Sequence, residues 1–565
     1  MAVAEVHLPW LTTSFIEAKT ATAASLVVGF LFFLLFHFKA LVEKKTFRPL
    51  QYVSNRLEAW KYLFYGTVII QEKFEKSNGE AFEVFAPDNR YVFVSSPKHI
   101  KELDSAPDTV LSLQAASKQM LQPAHTMHGF NWFDRRGTEG VGFVRALRTL
   151  LTNNLPQILP DLSVISRARF AELHAQHPIV DVKNEQFMVS ALAYIEETLV
   201  GAEAVRLLPK FMVPFVGNFL TWKLKSHEVI FGTLVPVAEQ RCLERDLKNL
   251  GQQVPYHADC IQWIMETSPR QSPWTPKRIV HELMAIWFGS VHALSTTITF
   301  AIHDLCLHPG YVEPLRRELQ CGYADFERTA TGLPLLDSFI KESARLTPVE
   351  AQSTRRSALQ PFSLSDGTRL EVGDWACTPV RAIMTNPTFY PTPLDFHGFR
   401  FAPPDVVAAL DAAFKVPQEK STRLVDVDST FHVWGTGRMA CPGRYYAAAV
   451  IKVILGQTIL NYDFELVDRD APRWFTWLQD SHSKNALNWK HFAAEFAALK
   501  ARSPVSTNHK ECQKQPVFFS LGRVEEVDTF IIAATTSGNK AVAPRAKRNG
   551  FDGSTVDPSV FLGAC

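Results

Sequence analysis

One cysteine of this chain lies in a setting that a structural cysteine does not require. Cys441 stands in the stretch FHVWGTGRMACPGRYYA, residues 431–447, shortly after Gly435 and Gly437 and directly before Pro442. A helix that begins near Pro442 would direct its free N–H groups and its positive dipole end at the sulfur and stabilise a thiolate. Because a thiolate is a soft ligand that binds iron well, the pattern predicts that Cys441 ligates iron.

The loop around this cysteine also suits a flat, acidic iron cofactor. Its glycines let the backbone pass close to a macrocycle. Arg438, three residues before Cys441, carries a guanidinium that could pair with a haem propionate. Thiolate ligation pushes electron density onto haem iron and favours cleavage of the O–O bond. The residues therefore indicate haem-thiolate chemistry.

Long helical segments must position this loop. One helix is predicted from Thr275-Pro276, an N-cap followed by proline at the first helical position, to about His308. Its roughly 33 residues span about 50 Å, so it must cross a whole domain. Gly289 lies inside it at a cost of about 1 kcal/mol relative to alanine. A glycine in this position indicates that a large group approaches the backbone.

A shorter helix is predicted in LPLLDSFIKESARLTP, residues 333–348. Glu342 and Arg345 are three positions apart in it and therefore share one face. The alternative is an ordinary surface ion pair worth a few tenths of a kcal/mol.

The overall pattern predicts a mainly α fold with small β-sheets. EAFEVFAPDNRYVFVSSP, from residue 80, reads as a β-hairpin, and strands with Pro-rich turns return between about 350 and 400. Helical periodicity dominates from about 110 to 345. We expect one domain over residues 45–502, followed by an atypical tail over 503–565 whose polar composition is typical of disorder.

The N-terminal region contains a candidate membrane anchor. Residues 20–38 carry no charged side chain, and 19 helical residues span about 28 Å, close to the hydrocarbon core of a bilayer. Lysines and an arginine follow within ten residues, which predicts a lumenal segment at 1–19 and a cytoplasmic catalytic domain. A cleaved signal peptide and a buried core helix are the alternatives.

Composition excludes other classes of protein. The net charge of +2 and the lack of a basic stripe with interleaved aromatic residues argue against nucleic-acid binding. The eight cysteines form no C-x-x-C pair, which argues against a disulfide framework or a structural zinc site and favours a reducing compartment.

The Cys441 loop resembles that of the cytochrome P-450 family. The family pattern F-x-x-G-x-R-x-C-x-G, in fungal members often F-G-x-G-R-H-A-C-P-G-R, is matched here by WGTGRMACPGR, residues 434–444. Trp434 replaces the usual Phe, and Met439 replaces a basic residue that commonly binds a propionate. The resemblance implies a P-450-like fold around haem b, with Cys441 as the axial ligand.

Other motifs occur in the family's order. ESAR matches the family's E-x-x-R pair, and Arg400 in FHGFRF resembles the third member of that structural network. Arg356 resembles a propionate-binding arginine. Arg148 resembles the basic residue that covers another propionate, and the neighbouring Arg145 is an alternative. LQPAHTMHGFNWFDRRGTEG and YPTPLDFHGFRF resemble fungal secondary-metabolite members.

The chain departs from the family in three places. The long helix of the family carries an acid and a threonine that serve oxygen activation. Here FGSVHAL keeps Gly289 but places His292 at the acid position and Ala293 at the threonine position. His292 is either a proton relay or a packed core histidine, and a substrate hydroxyl could replace the missing alcohol. The connection at 197–211 is short, and the closing hairpin expected after Trp477 is not found.

The resemblance implies a membrane-anchored monooxygenase of the endoplasmic reticulum. Such an enzyme receives electrons from NADPH through a partner reductase and inserts one oxygen atom of O₂ into an apolar small molecule, here a terpenoid or another secondary-metabolite intermediate. One alternative is an enzyme of the same fold that rearranges or dehydrates an oxygenated substrate without O₂. The other is a non-catalytic haem binder.

Overall fold

The computed structural model describes residues 49–134, 142–175, 182–208, 211–269, 271–410, 414, 421–463 and 466. The predicted lumenal segment, the anchor at 20–38, the tail at 503–565 and the region after Trp477 lie outside these residues. By compactness the chain divides into Met1–Trp60 and Lys61–Cys565. Of the first unit, only the opening turns of one helix are described.

Helices make up most of the described chain, as the sequence predicts. They are, in chain order, Pro49–Ser77, Pro97–Ser105, Leu113–Leu121, Pro123–Thr126, Gly142–Arg145, the π-helical Ala146–Leu151, Thr152–Ala175, Val182–Arg206, Val213–Thr221, Ser226–Asn249, Cys260–Glu266, Pro276–Leu307, Val312–Thr329, Pro334–Leu346, Val380–Met384, Pro404–Ala408 and Arg444–Asn461, with short 3₁₀ turns at Pro309–Tyr311 and Gly437–Met439.

Two small sheets accompany the helices. The strands are β1 Phe82–Phe85, β2 Arg90–Phe93, β3 Leu111–Ser112, β4 Gln352–Ala358, β5 Phe362–Ser363, β6 Arg369–Leu370 and β7 Trp375–Pro379. The larger sheet has the order β1-β2-β7-β4-β3, and β5 pairs with β6. β2 and β7 run parallel, and the other pairs are antiparallel. The predicted hairpin at β1 and β2 is confirmed.

Strand β4 contains a bulge. Ser353 pairs with Thr378 of β7, but the next paired residue, Arg356, lies opposite Ala376, so β4 has one residue more than β7 in this interval. Thr354, inside the bulge, has a φ of 53°. An extra residue bends a strand and changes which side chains share a face.

The long helix forms the centre of the core. It runs from Pro276 to Leu307, with the Thr275 hydroxyl accepting a hydrogen bond from the N–H of Arg278, as the N-cap prediction requires. It packs against Ser226–Asn249, Pro334–Leu346 and Arg444–Asn461. Among the described helices this one alone is long and apolar enough to cross a membrane, and 61% of its most apolar window is buried, a property that core helices of soluble proteins share.

The E-x-x-R pair forms a buried charge network with a distant turn. Glu342, Arg345 and Arg400 have side chains with no solvent exposure. Arg345 donates two hydrogen bonds to the Glu342 carboxylate, at 2.7 and 2.8 Å, and Arg400 donates from Nε to the same carboxylate at 3.1 Å. The surface alternative for this pair is therefore wrong, and the network fixes the helix Pro334–Leu346 to the turn around Arg400.

Candidate active site

A cavity of about 400 Å³ is lined by the long helix, by β4 with the residues before it, and by the Cys loop, residues 434–443. This volume lies within the roughly 300–1,000 Å³ that small-molecule and cofactor sites occupy. The long helix contributes residues at intervals of three and four, which is one helical face: Ala285, Ile286, Gly289, Ser290, Ala293, Leu294 and Thr297. The structure thus brings Gly289 and Cys441 to the same cavity.

Gly289 faces open space. A Cβ built on it would meet no atom within 4 Å. The reason predicted for this glycine, close approach of a large group to the helix, is consistent with the empty volume beside it.

The Cys loop is held by backbone geometry that needs glycine. Gly435 and Gly437 have φ angles of 72° and 58°, and a Cβ at Gly437 would lie 2.6 Å from the Asp104 side chain. The Cys441 N–H donates to the Trp434 carbonyl at 2.7 Å and closes the loop. The Trp434 indole in turn donates to the Leu424 carbonyl at 2.6 Å. Trp434, which stands where the family has phenylalanine, therefore stabilises the loop through its carbonyl and its indole N–H.

The surroundings of the Cys441 sulfur act on the pKa of its thiol in two opposite directions. Burial, the largest influence, and the Glu350 charge raise the pKa of the thiol, whereas the backbone N–H groups of Gly443 and Arg444 and the Arg444 charge lower it; the net direction is upward. The following helix begins at Arg444 rather than near Pro442, with Gly443 as its N-cap. The orientation expected from the sequence is therefore present, two residues later than predicted.

Arg356 is the arginine that best suits an anion in this cavity. It lines the cavity and is 3% exposed. Its Nη1 donates to the Arg355 carbonyl at 2.9 Å, whereas its Nη2 makes no hydrogen bond and lies 3.6 Å from Asp104 Oδ1. Burial lowers the pKa of Arg356 to about 10. A buried donor without a hydrogen bond is costly, and an anionic group in the cavity would remove that cost.

The other two predicted arginines, Arg438 and Arg148, do not line the cavity. Arg438 is not among the cavity-lining residues, and its Nη2 donates to the Ala106 carbonyl at 2.5 Å and to Asp108 at 3.2 Å. Arg148 is exposed and donates to the carbonyls of Arg438 and Ala440 at 3.2 and 3.4 Å. In this geometry both arginines brace the Cys loop, because their donors are directed to protein acceptors.

His292 lies behind the cavity wall. It is 3% exposed and is not among the lining residues, whereas Ala293 is. The structure instead presents a hydroxyl one turn later. Thr297 lines the cavity, and its Oγ1 donates to the Ala293 carbonyl at 2.7 Å. The sequence prediction missed Thr297, although its four-residue offset from Ala293 was a usable signal.

A second missed residue is His432. It is fully buried and lines the cavity. Its ring nitrogens contact the Thr378 hydroxyl at 3.1 Å and the Ser429 carbonyl at 2.9 Å, and burial lowers its pKa. The neutral ring is therefore fixed in place.

The donor set favours a metal that arrives in a macrocycle over a bare ion. In the described ranges no cluster of three or more His, Cys, Asp or Glu side chains could hold a metal ion. The six cysteines there are free thiols, and of these only Cys441 lines the cavity. One thiol, the Arg356 donor without a hydrogen bond and a roomy cavity fit a haem.

Comparisons with known proteins agree with this geometry. The family model described as Cytochrome P450 matches residues 117–481, more than half of the chain. Cytochrome P450 monooxygenase pyr3 of Aspergillus fumigatus is 31% identical over 435 residues, 70% of this chain and 78% of that protein. Cytochrome P450 monooxygenase olcJ of Penicillium canescens is 26% identical over 437 residues, 71% and 78% of the two chains.

A solved structure supports the fold. The crystal structure of the cytochrome P450DA heme domain has a TM-score of 0.52 and 11% identity, and the match covers 75% of this chain and 93% of that one. The predicted mainly α fold with small sheets is confirmed. The chain therefore belongs to the cytochrome P450 family and is an oxidoreductase of the monooxygenase kind, as its fungal relatives are.

Proposed function

We propose that this chain inserts one oxygen atom of O₂ into an apolar small molecule, a terpenoid or another intermediate of fungal secondary metabolism, with electrons from NADPH through a partner reductase. The single observation that carries the proposal is that Cys441 and the Gly289 face of the long helix line one cavity. Much of the remaining wall is apolar and includes Leu113, Leu151 and Val380. Such a wall favours an apolar substrate.

The chain's own residues would hold the haem in distinct ways. The Cys441 thiolate would ligate the iron, and Arg356 would bind a propionate through its Nη2. Arg438 and Arg148 would keep the loop in shape through their bonds to Ala106 and to the loop carbonyls. When bound, haem supplies the redox chemistry that activates O₂.

Proton delivery is proposed to use hydroxyls of the long helix. Thr297 and Ser290 line the cavity, and each donates its hydroxyl hydrogen to a carbonyl of the same helix, so their oxygens would accept a hydrogen bond from a water and hold it in place to carry protons into the cavity. The relay first predicted for His292 requires its ring to turn towards the cavity. His292→Ala and Thr297→Val therefore separate the two routes.

We propose that the enzyme is held at the endoplasmic reticulum membrane by residues 20–38. A surface feature supports membrane contact: Phe215, Phe219 and Trp222 are 82, 69 and 59% exposed. They recur at intervals of four and three around the helix Val213–Thr221, and Lys223 lies over the Trp222 ring at 5.6 Å. Exposed aromatic residues beside lysine suit a lipid interface. Carbonate-washed microsomes should retain the full chain and release a chain that starts near residue 45.

The proposed chemistry is tested with the full chain, a reductase and ¹⁸O₂ in a host that makes candidate precursors. We expect a red-shifted Soret band when the protein is reduced and carbon monoxide is then added. We also expect a product with one labelled oxygen atom per NADPH-dependent turnover. Cys441→Ala should abolish both results, whereas Cys321→Ala, which changes an exposed free thiol, should leave both intact. Product without label would instead favour the rearranging or dehydrating enzyme that the missing hydroxyl at Ala293 suggests. A spectral response to substrate without turnover would favour a haem binder.

A further inference from the structure

The bulge in β4 brings two consecutive arginines to one cavity. In a regular strand, successive side chains point to opposite faces of the sheet. Here the bulge interrupts the alternation, and four consecutive residues, Ser353, Thr354, Arg355 and Arg356, line the cavity. The Arg356 side chain is assigned above to a haem propionate, which leaves the role of Arg355 unexplained.

Arg355 is paired inside the cavity wall. Its Nη1 lies 2.9 Å from Oε2 of Glu350, a residue that lines the same cavity. The side chains of Arg355 and Glu350 are 10 and 35% exposed. The pair is therefore partly buried, and the Glu350 side chain remains partly exposed.

Apolar side chains make up much of the cavity wall to which this charge pair belongs. Val349 precedes Glu350 in the lining, and Leu113, Leu147 and Val380 line the cavity as well. In such surroundings a carboxylate forms stronger hydrogen bonds than in water. A carboxylate accepts from a hydroxyl, and the adjacent guanidinium donates to an oxygen, so together they recognise an alcohol.

We propose that the Glu350–Arg355 pair is the specificity-determining contact for a hydroxyl group on an otherwise apolar substrate. This inference rests on the proposed function, because it concerns the substrate of that same cavity. It also places the enzyme in a reaction sequence: a reaction that introduces oxygen, such as an oxygenation or a hydration, must precede this step.

The test compares two probes that differ by one hydroxyl, perillyl alcohol and limonene. Their dissociation constants are measured by spectral titration of the haem-loaded protein, without turnover. Hydrogen bonds to charged groups contribute about 1.5–3 kcal/mol, so wild type should bind the alcohol roughly 10- to 100-fold more tightly. Glu350→Gln, which keeps the shape of the side chain, should remove most of that preference. Arg355→Lys, which keeps the charge, should retain part of it.

The matched control is Glu313→Gln, which changes an exposed carboxylate paired with Arg317. It should leave the alcohol preference unchanged. Equal affinity of wild type for both probes, no binding of the alcohol, or an undiminished preference in Glu350→Gln overturns the inference. Loss of haem from Glu350→Gln also overturns it, because the pair would then belong to the haem site. Failure of the proposed function is visible separately, as a missing thiolate Soret band in wild type.

Discussion

Glu342 and Arg356 are both buried charged residues, but their surroundings differ. Around Glu342, the guanidinium groups of Arg345 and Arg400 donate their hydrogen bonds to acceptors within the protein. Beyond the carboxylate, Arg345 donates to the carbonyls of Met384 and Pro393, and Arg400 donates to those of Pro391, Thr392 and Asp395. Arg356 has one hydrogen bond to a carbonyl, a carboxylate 3.6 Å away and an Nη2 that donates to nothing.

The difference separates a structural charge cluster from a binding one. Folding satisfies the Glu342 network completely, so removing any member leaves charges buried without partners. Folding leaves Arg356 incompletely satisfied at a cavity wall, so a ligand completes it. We therefore expect substitutions in the first group to change stability and those at the second to change haem binding.

The largest effect is expected at Glu342. Glu342→Ala leaves Arg345 and Arg400 buried without their carboxylate, which costs about 3–5 kcal/mol, a large part of a typical stability of about 5–15 kcal/mol. We expect little folded protein and little bound haem, measured by urea unfolding and by absorbance. The control is Glu313→Ala, which changes an exposed carboxylate and should cost under about 1 kcal/mol. A Glu342→Ala protein that is stable, haem-loaded and merely slow would contradict the structural assignment.

The next effect is expected at Arg356. Arg356→Leu removes the proposed propionate donor, and loss of a charged hydrogen bond corresponds to roughly 10- to 100-fold weaker haem binding. Haem titration of the apoprotein measures this, with urea unfolding as a separate readout of stability. Arg438→Leu is the matched comparison, since its guanidinium contacts Ala106 and Asp108. If Arg438→Leu weakens haem binding more than Arg356→Leu, the assignment of the two arginines is reversed.

A smaller effect is expected within the Cys loop. Gly437→Ala forces a side chain into a left-handed conformation and against Asp104, which costs about 1–2 kcal/mol from the backbone alone. Gly443→Ala is the control, because its Cβ would meet only Leu147, at 3.8 Å, and its φ is −91°. Thermal unfolding should rank the two variants in that order. Equal stabilities would show that the loop relaxes freely.

The smallest effect concerns the cavity wall and the residues behind it. Thr297→Val removes a hydroxyl worth about 0.5–1.5 kcal/mol, so peroxide released per NADPH should rise about two- to tenfold. His292→Ala should change that ratio less, because His292 does not line the cavity. The opposite ranking would restore His292 as the proton relay. Ala293→Thr, which adds a hydroxyl on the wall, should lower the ratio with a substrate that has no hydroxyl.

The sequence by itself determined the local features of this protein. Thr275, Pro276 and the Pro309-Gly310 pair mark the ends of the long helix, because caps and prolines act within a few residues of themselves. Glu342 and Arg345 share a face because of helical spacing. The glycines around Cys441 and the helix after it follow in the same way from residue type and order.

The tertiary structure decided which of these residues meet. Both Arg355 and Arg356 line the cavity at a bulge in β4, and no local signal in the sequence predicts that bulge. Arg438 is turned outwards because Asp108, more than 300 positions away, lies within reach. Helical spacing places Ala293 and Thr297 on one face, but the helices packed around the long helix decide that this face, and not that of His292, reaches the cavity wall. Helix ends and shared faces depend on neighbours in sequence, whereas the direction of a side chain depends on neighbours in space.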